Sequence, residues 1–94
     1  MVRYIVFCMM APEFLRLPIE ERQGHVPQWS DLAKKHELKM LFWGTTMGVK
    51  EHAVFVFESN GDSGMFFKFQ REWLGLGTEL AGTIIKYIKT ITVH

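Results

Sequence analysis

Ninety-four residues, 48% of them hydrophobic and 14% aromatic, with a net charge of +1, make one small domain over 1–94 with a heavy apolar load. Eleven Lys and Arg against ten Asp and Glu leave no basic footprint for a nucleic acid and no like-charge run for a disordered tail. One cysteine, Cys8, excludes an internal disulfide and suits a reducing, cytoplasmic setting.

The chain opens on an apolar stretch, 4–11, that is too short to span a bilayer and is stopped by Pro12 and Glu13. It reads as a strand, Val2–Met10, with Tyr4, Val6, Cys8 and Met10 on one face and Ile5, Phe7 and Met9 on the other. A loop to Pro18 follows, then a helical segment over 19–36. Pro18 and Glu20-Glu21 sit where a helix start favours them, and Lys34, Lys35 and His36 where its end does. Pro27 predicts a kink or a restart near 24–26, because its missing N–H cannot bond the carbonyl of Gln23. A second strand over 38–46 is apolar on both faces through Met40, Leu41, Phe42 and Trp43, with Gly44 as a bulge or a close backbone approach. A turn around Gly48 joins it to a third strand over 53–58, AVFVFE. Ser59-Asn60-Gly61-Asp62 is turn chemistry, and Asp62 or Ser63 caps a second helix over 64–74. That helix carries the stripe Phe66, Phe69, Trp73, continued by Leu76. After glycines at 75, 77 and 82 comes a last strand over 83–93, rich in Ile and Thr.

The order β-α-β-β-α-β is the ferredoxin-like pattern, an α+β fold with a four-stranded antiparallel sheet and two helices on one face. A chain this short buries only about 60–65% of its unfolded surface. Strands that are apolar on both faces therefore need a cover on the side away from the helices. The same face of a second copy supplies it, giving a homodimer packed sheet on sheet. With VRYIVFCMMA, HVPQWSDLAKKHELKMLFWGTTMG and AVFVFE leading into an aromatic helix, the chain resembles the dimeric α/β-barrel superfamily over its whole length. That superfamily includes antibiotic-biosynthesis-type monooxygenases, muconolactone isomerases, and small YciI-like, EthD-like and stress-responsive barrel proteins. The resemblance implies a small molecule held in a cleft between helices and sheet. It also implies work without a metal or tightly bound organic cofactor, although some branches bind haem.

His25, Trp29, Leu32 and His36 fall on one stripe of the first helix if the break at Pro27 is mild. His25 is then a ligand contact or general acid/base beside a pocket, or a surface residue at the kink; His36 flanks the pocket or caps the helix. His52, next to Glu51, either bonds that carboxylate and stays protonated or is a solvated hairpin residue. His25 and His52 are the candidate catalytic pair. No Cys-x-x-Cys or His-x-x-x-His spacing offers a local metal set, whereas a single axial histidine for haem asks for less. Cys8, mid-strand among apolar residues, is expected to be inert, and Gly75-Leu76-Gly77 lacks the context of a phosphate loop. Trp29, Trp43 and Trp73 lie on three elements that this fold brings around one volume. Together with Phe66 and Phe69 they either fill the core or line an aromatic pocket, in which Arg3, Arg71 or Glu72 would orient a polar end.

Two readings of function follow. One is a homodimer that binds a small apolar or aromatic molecule, with cofactor-independent oxygenation or isomerisation as the reaction class. The other is a ligand-sensing or structural module without catalysis. An RNA-recognition module shares the element order, but HAVFVFE lacks that module's basic-Gly start and surrounding positive charge.

Overall fold

The computed structural model describes residues 1–60, 63–75 and 80–94. The alternation expected of the first strand is real: in β1 (Val2–Met10), Tyr4, Val6, Cys8 and Met10 are buried, and Ile5, Phe7 and Met9 are half-buried on the opposite face. The segment read as a loop holds a one-turn helix, α1 (Pro12–Leu15). Pro12 stands in its first turn, where no N–H is missed, and buried Phe14 anchors it.

The helical segment expected over 19–36 is divided into α2 (Ile19–Gln23) and α3 (Val26–Lys35), with the restart that Pro27 predicts at Gly24-His25. Pro27 falls in the first turn of α3, so it starts a helix instead of kinking one. Helix α3 ends at Lys35 with His36 as its cap, and Glu37 turns the chain away with the left-handed φ of 61°. Strand β2 (Leu38–Thr45) and β3 (Ala53–Ser59) form the expected hairpin, and β4 (Ile85–Val93) closes the sheet. The capping expected of Asp62 or Ser63, the breaking role of Gly77 and the continuation of the stripe to Leu76 lie outside the described residues.

The sheet order is β2-β3-β1-β4 with every pair antiparallel, and the fold is ferredoxin-like α+β. The bulge lies at Leu41, where the β2–β3 register shifts between Met40 and Phe42, and not at Gly44. Gly44 pairs regularly with Val54, and a Cβ there would meet nothing. The extra residue inverts the alternation beyond it. Trp43 lies opposite Phe55 on the helix-covered face, and Phe42 lies opposite Val56 on the free one.

The core sits between sheet and helices. From α4 (Ser63–Trp73), Phe66, Phe69 and Trp73 are fully buried against Tyr4, Phe55 and Phe57, with Tyr4 and Phe66 stacked at 4.0 Å. Trp29 of α3 meets Trp73 edge-on at 5.8 Å and Phe55 at 5.7 Å, tying the two helix layers to the sheet. Gly82 packs tightly here: a Cβ would come within 2.8 Å of the Leu74 carbonyl. No described helix is long and apolar enough to cross a membrane.

Candidate functional site

Beyond Cys8 and Ala53 the β1–β3 ladder stops, and His52 extends it by one step with its side chain. The His52 backbone N–H donates to the Cys8 carbonyl at 2.9 Å. The Met10 N–H then donates to His52 Nδ1 at 3.0 Å. A ring nitrogen that accepts an amide proton carries none, so in the neutral ring the proton resides on Nε2. His52 is thus fixed as a donor at Nε2. It does not bond the neighbouring Glu51 carboxylate, which the adjacent sequence positions had pointed to.

At this frayed end of the sheet, α1, α2 and α3 overhang β2 and β3 and leave a cleft of about 310 Å³. Its walls are mostly apolar: Phe14, Val26, Trp29, Trp43 and Phe55, with Met10 and Ala53 on the floor side. The polar lining groups are Arg22, Gln23, Thr45 and His52; no Asp or Glu is among the described lining residues. Trp43 and Phe55 stack across β2 and β3 at 6.2 Å, a contact that exists only because of the Leu41 bulge. Two buried donors at the cleft have no hydrogen-bond partner among the described protein atoms, the Trp29 indole Nε1 and the Arg22 Nε.

Of the residues singled out in the sequence, Trp29, Trp43 and His52 line this cleft. Phe66, Phe69 and Trp73 do not; they fill the core behind Trp29 and Phe55. His25 stacks on Trp29 at 5.9 Å and lies 5.6 Å from Phe14. It lines a separate, more open depression with Glu13 and Lys86. His36 bonds Glu72 at 3.1 Å, with Lys35 at 3.6 Å from the same carboxylate, which latches α3 to α4. That hydrogen bond from His36, aided by Lys35, holds the Glu72 carboxyl below its usual range. Arg3 pairs with Glu58, and Arg71 is exposed, so neither orients a ligand in the cleft. Burial pushes the Cys8 thiol far up, which leaves it without nucleophilic thiolate.

Sequence reasoning missed Arg22, Phe14 and Phe55 at the cleft. Arg22 reads as an ordinary charge of an amphipathic helix until the restart at Gly24 turns α2 over the sheet end. It also missed Glu51, buried at 5% exposure although it stands in a hairpin loop. Its carboxylate accepts from the Tyr87 hydroxyl at 3.2 Å and lies 3.6 Å from Lys89 Nζ. A hydrogen bond from its own backbone N–H, and then Lys89 and Tyr87, lower its pKa against an opposing desolvation. Among the described residues, no three of His, Cys, Asp and Glu come together as a metal set.

No protein-family model and no curated protein matches the chain. Solved structures do. An uncharacterized NIPSNAP domain protein from Burkholderia xenovorans superposes with a TM-score of 0.54 at 12% identity, covering 100% of this chain and 93% of that one. A dimeric protein of unknown function with a ferredoxin-like fold, from Bacteroides fragilis, gives 0.51 at 12% identity, covering 99% and 94%. At this identity the likeness is one of fold.

Proposed function

We propose that this chain is a homodimeric small-molecule-binding domain whose ligand is a small apolar or aromatic compound held in the cleft between α1–α3 and the β2–β3 end of the sheet. The observation that carries the reading is the pairing of an apolar, tryptophan-lined wall with one imidazole fixed as a donor. An apolar cavity of about 150 Å³ holds one benzene. A cleft of about 310 Å³ therefore suits one ring with substituents. No metal or organic cofactor enters the proposal.

In this reading His52 hydrogen-bonds the ligand through Nε2–H. A neutral imidazole donor polarises a carbonyl or steadies an enolate; it does not abstract a proton. The described lining residues include no carboxylate or thiolate to act as base, which favours binding and sensing over proton-transfer catalysis such as isomerisation. His25, behind Trp29, is assigned to positioning that indole.

Self-association is supported by the free face of the sheet. Phe42, Tyr87, Ile91 and Val93 are 59%, 40%, 49% and 44% exposed there, beside Ile5, Phe7, Met9 and Val54. A patch of that kind asks for a partner surface, and the Bacteroides fragilis protein with this fold is described as dimeric. The cleft is on the opposite, helix-covered face, so the dimer leaves it accessible.

Calorimetric titration with benzyl alcohol tests the cleft. Thr45 is an exposed lining residue at the end of β2, where an aromatic side chain suits the strand. Saturable binding to the wild type, lost in Thr45→Phe with an unchanged unfolding temperature, is the expected result. Equal binding by Thr45→Phe would place the ligand elsewhere.

A further inference from the structure

Beside Gln23 and Thr45, which both donate and accept, the cleft has lining residues whose polar groups can only donate. Arg22 brings a guanidinium that makes no ion pair among the described residues, and its Nε is buried without a partner. Trp29 is 1% exposed, and its indole N–H is likewise unpartnered. His52 is held with its proton on Nε2 by the Met10 amide. Arg22 and His52 thus bring donors, one of them cationic, to a cleft to which no acidic side chain is contributed among the described residues. A buried donor without an acceptor costs about 1–3 kcal/mol, and a buried cation more. A bound acceptor group removes that cost, and an anionic one also supplies the missing countercharge.

We infer that the occupant of this cleft is a carboxylate on a one-ring or similarly small apolar skeleton, its ring against Trp29, Trp43 and Phe55 and its carboxylate on Arg22 and His52 Nε2–H. The inference rests on the proposed ligand-binding cleft and adds the sign and chemistry of the ligand. A planar guanidinium matches a carboxylate with two parallel hydrogen bonds, and apolar walls raise the worth of each. A same-sized cation meets the like charge of Arg22 and binds more weakly.

The test compares benzoate, benzyl alcohol and benzylammonium by calorimetry on the wild-type protein and on Arg22→Gln. Gln keeps the helix propensity of α2 and removes the charge. The wild type is expected to bind benzoate about 10- to 100-fold tighter than benzyl alcohol. It is expected to bind benzylammonium more weakly than benzoate. In Arg22→Gln the preference for benzoate should collapse while the affinity for benzyl alcohol stays unchanged. Equal or tighter binding of benzyl alcohol by the wild type overturns the inference and leaves the cleft reading intact. Binding of none of the three overturns both. A preference undiminished in Arg22→Gln overturns the assignment to Arg22. Should Arg22→Gln fail to fold, binding of benzylammonium to the wild type as tight as that of benzoate is by itself the overturning result.

Discussion

At the scale of single residues, His52 carries two duties on two nitrogens. Nδ1 completes the sheet by accepting from Met10, and Nε2 is left for the cleft. Two substitutions separate them. His52→Ala leaves the Met10 amide unsatisfied and should cost about 1–3 kcal/mol in denaturant unfolding. His52→Asn presents its Oδ1 near the place of Nδ1, should recover most of that stability, and should still bind carboxylates more weakly than wild type. Full ligand affinity in His52→Asn would reduce the residue to a structural part. Glu51 gives a second residue-scale expectation. Its native pKa is lowered from 4.5, so its stabilising contribution is complete above that unfolded-state value and is lost as pH falls through the lower, native one. The stability gap between wild type and Glu51→Gln should therefore be fully open at about pH 6 and shrink as the pH falls below 4.5 and through the lower, native value. A gap that is constant across this range contradicts the assignment.

At the scale of elements, the Leu41 bulge decides what the cleft contains. One extra residue in β2 turns Trp43 to the cleft and Phe42 to the free face. Deleting Leu41 removes the unpaired residue and should leave Trp43 opposite Phe55, so ligand binding should persist, whereas Trp43→Ala should weaken it while the sheet's circular dichroism is unchanged. Retained affinity in Trp43→Ala would show that Trp43 is not a wall of the site. The same element shows what was legible in the sequence. Strand β1 and the stripe Phe66, Phe69, Trp73 alternate or repeat without interruption, so their buried faces follow from spacing alone. In β2 four successive apolar residues, Met40 to Trp43, give no phase. The bulge is set by pairing with β3, which local spacing does not encode. Pro27 was legible as a break, but its effect on the site was not. By starting α3 it frees α2 to carry Arg22 over the sheet end, a consequence of tertiary packing.

At the scale of the whole molecule, the apolar surplus divides in two. One part fills a core in which Trp73 and three phenylalanines interlock under α4; the other faces outward across β2-β3-β1-β4. The ferredoxin-like order was readable because the four strands and the longer helical segments stand apart in length and turn chemistry, which the one-turn α1 does not. The role of the three tryptophans was not, since burial in a core and lining of a cleft use the same residue types. Light scattering should give twice the 11.0 kDa chain mass for the wild type. Phe42→Lys, which puts a charge into the exposed apolar face, should give the single-chain mass. A monomeric wild type would remove the dimer from the account and leave the cleft untouched. The most direct measurement for the cleft itself is the set of three tryptophan indole N–H resonances in a nitrogen–proton NMR spectrum, followed during titration with benzoate. The account predicts that the Trp29 and Trp43 signals move saturably and that Trp73, enclosed in the core, stays in place. Still signals from Trp29 and Trp43, or a Trp73 signal that moves as far as theirs, would contradict it.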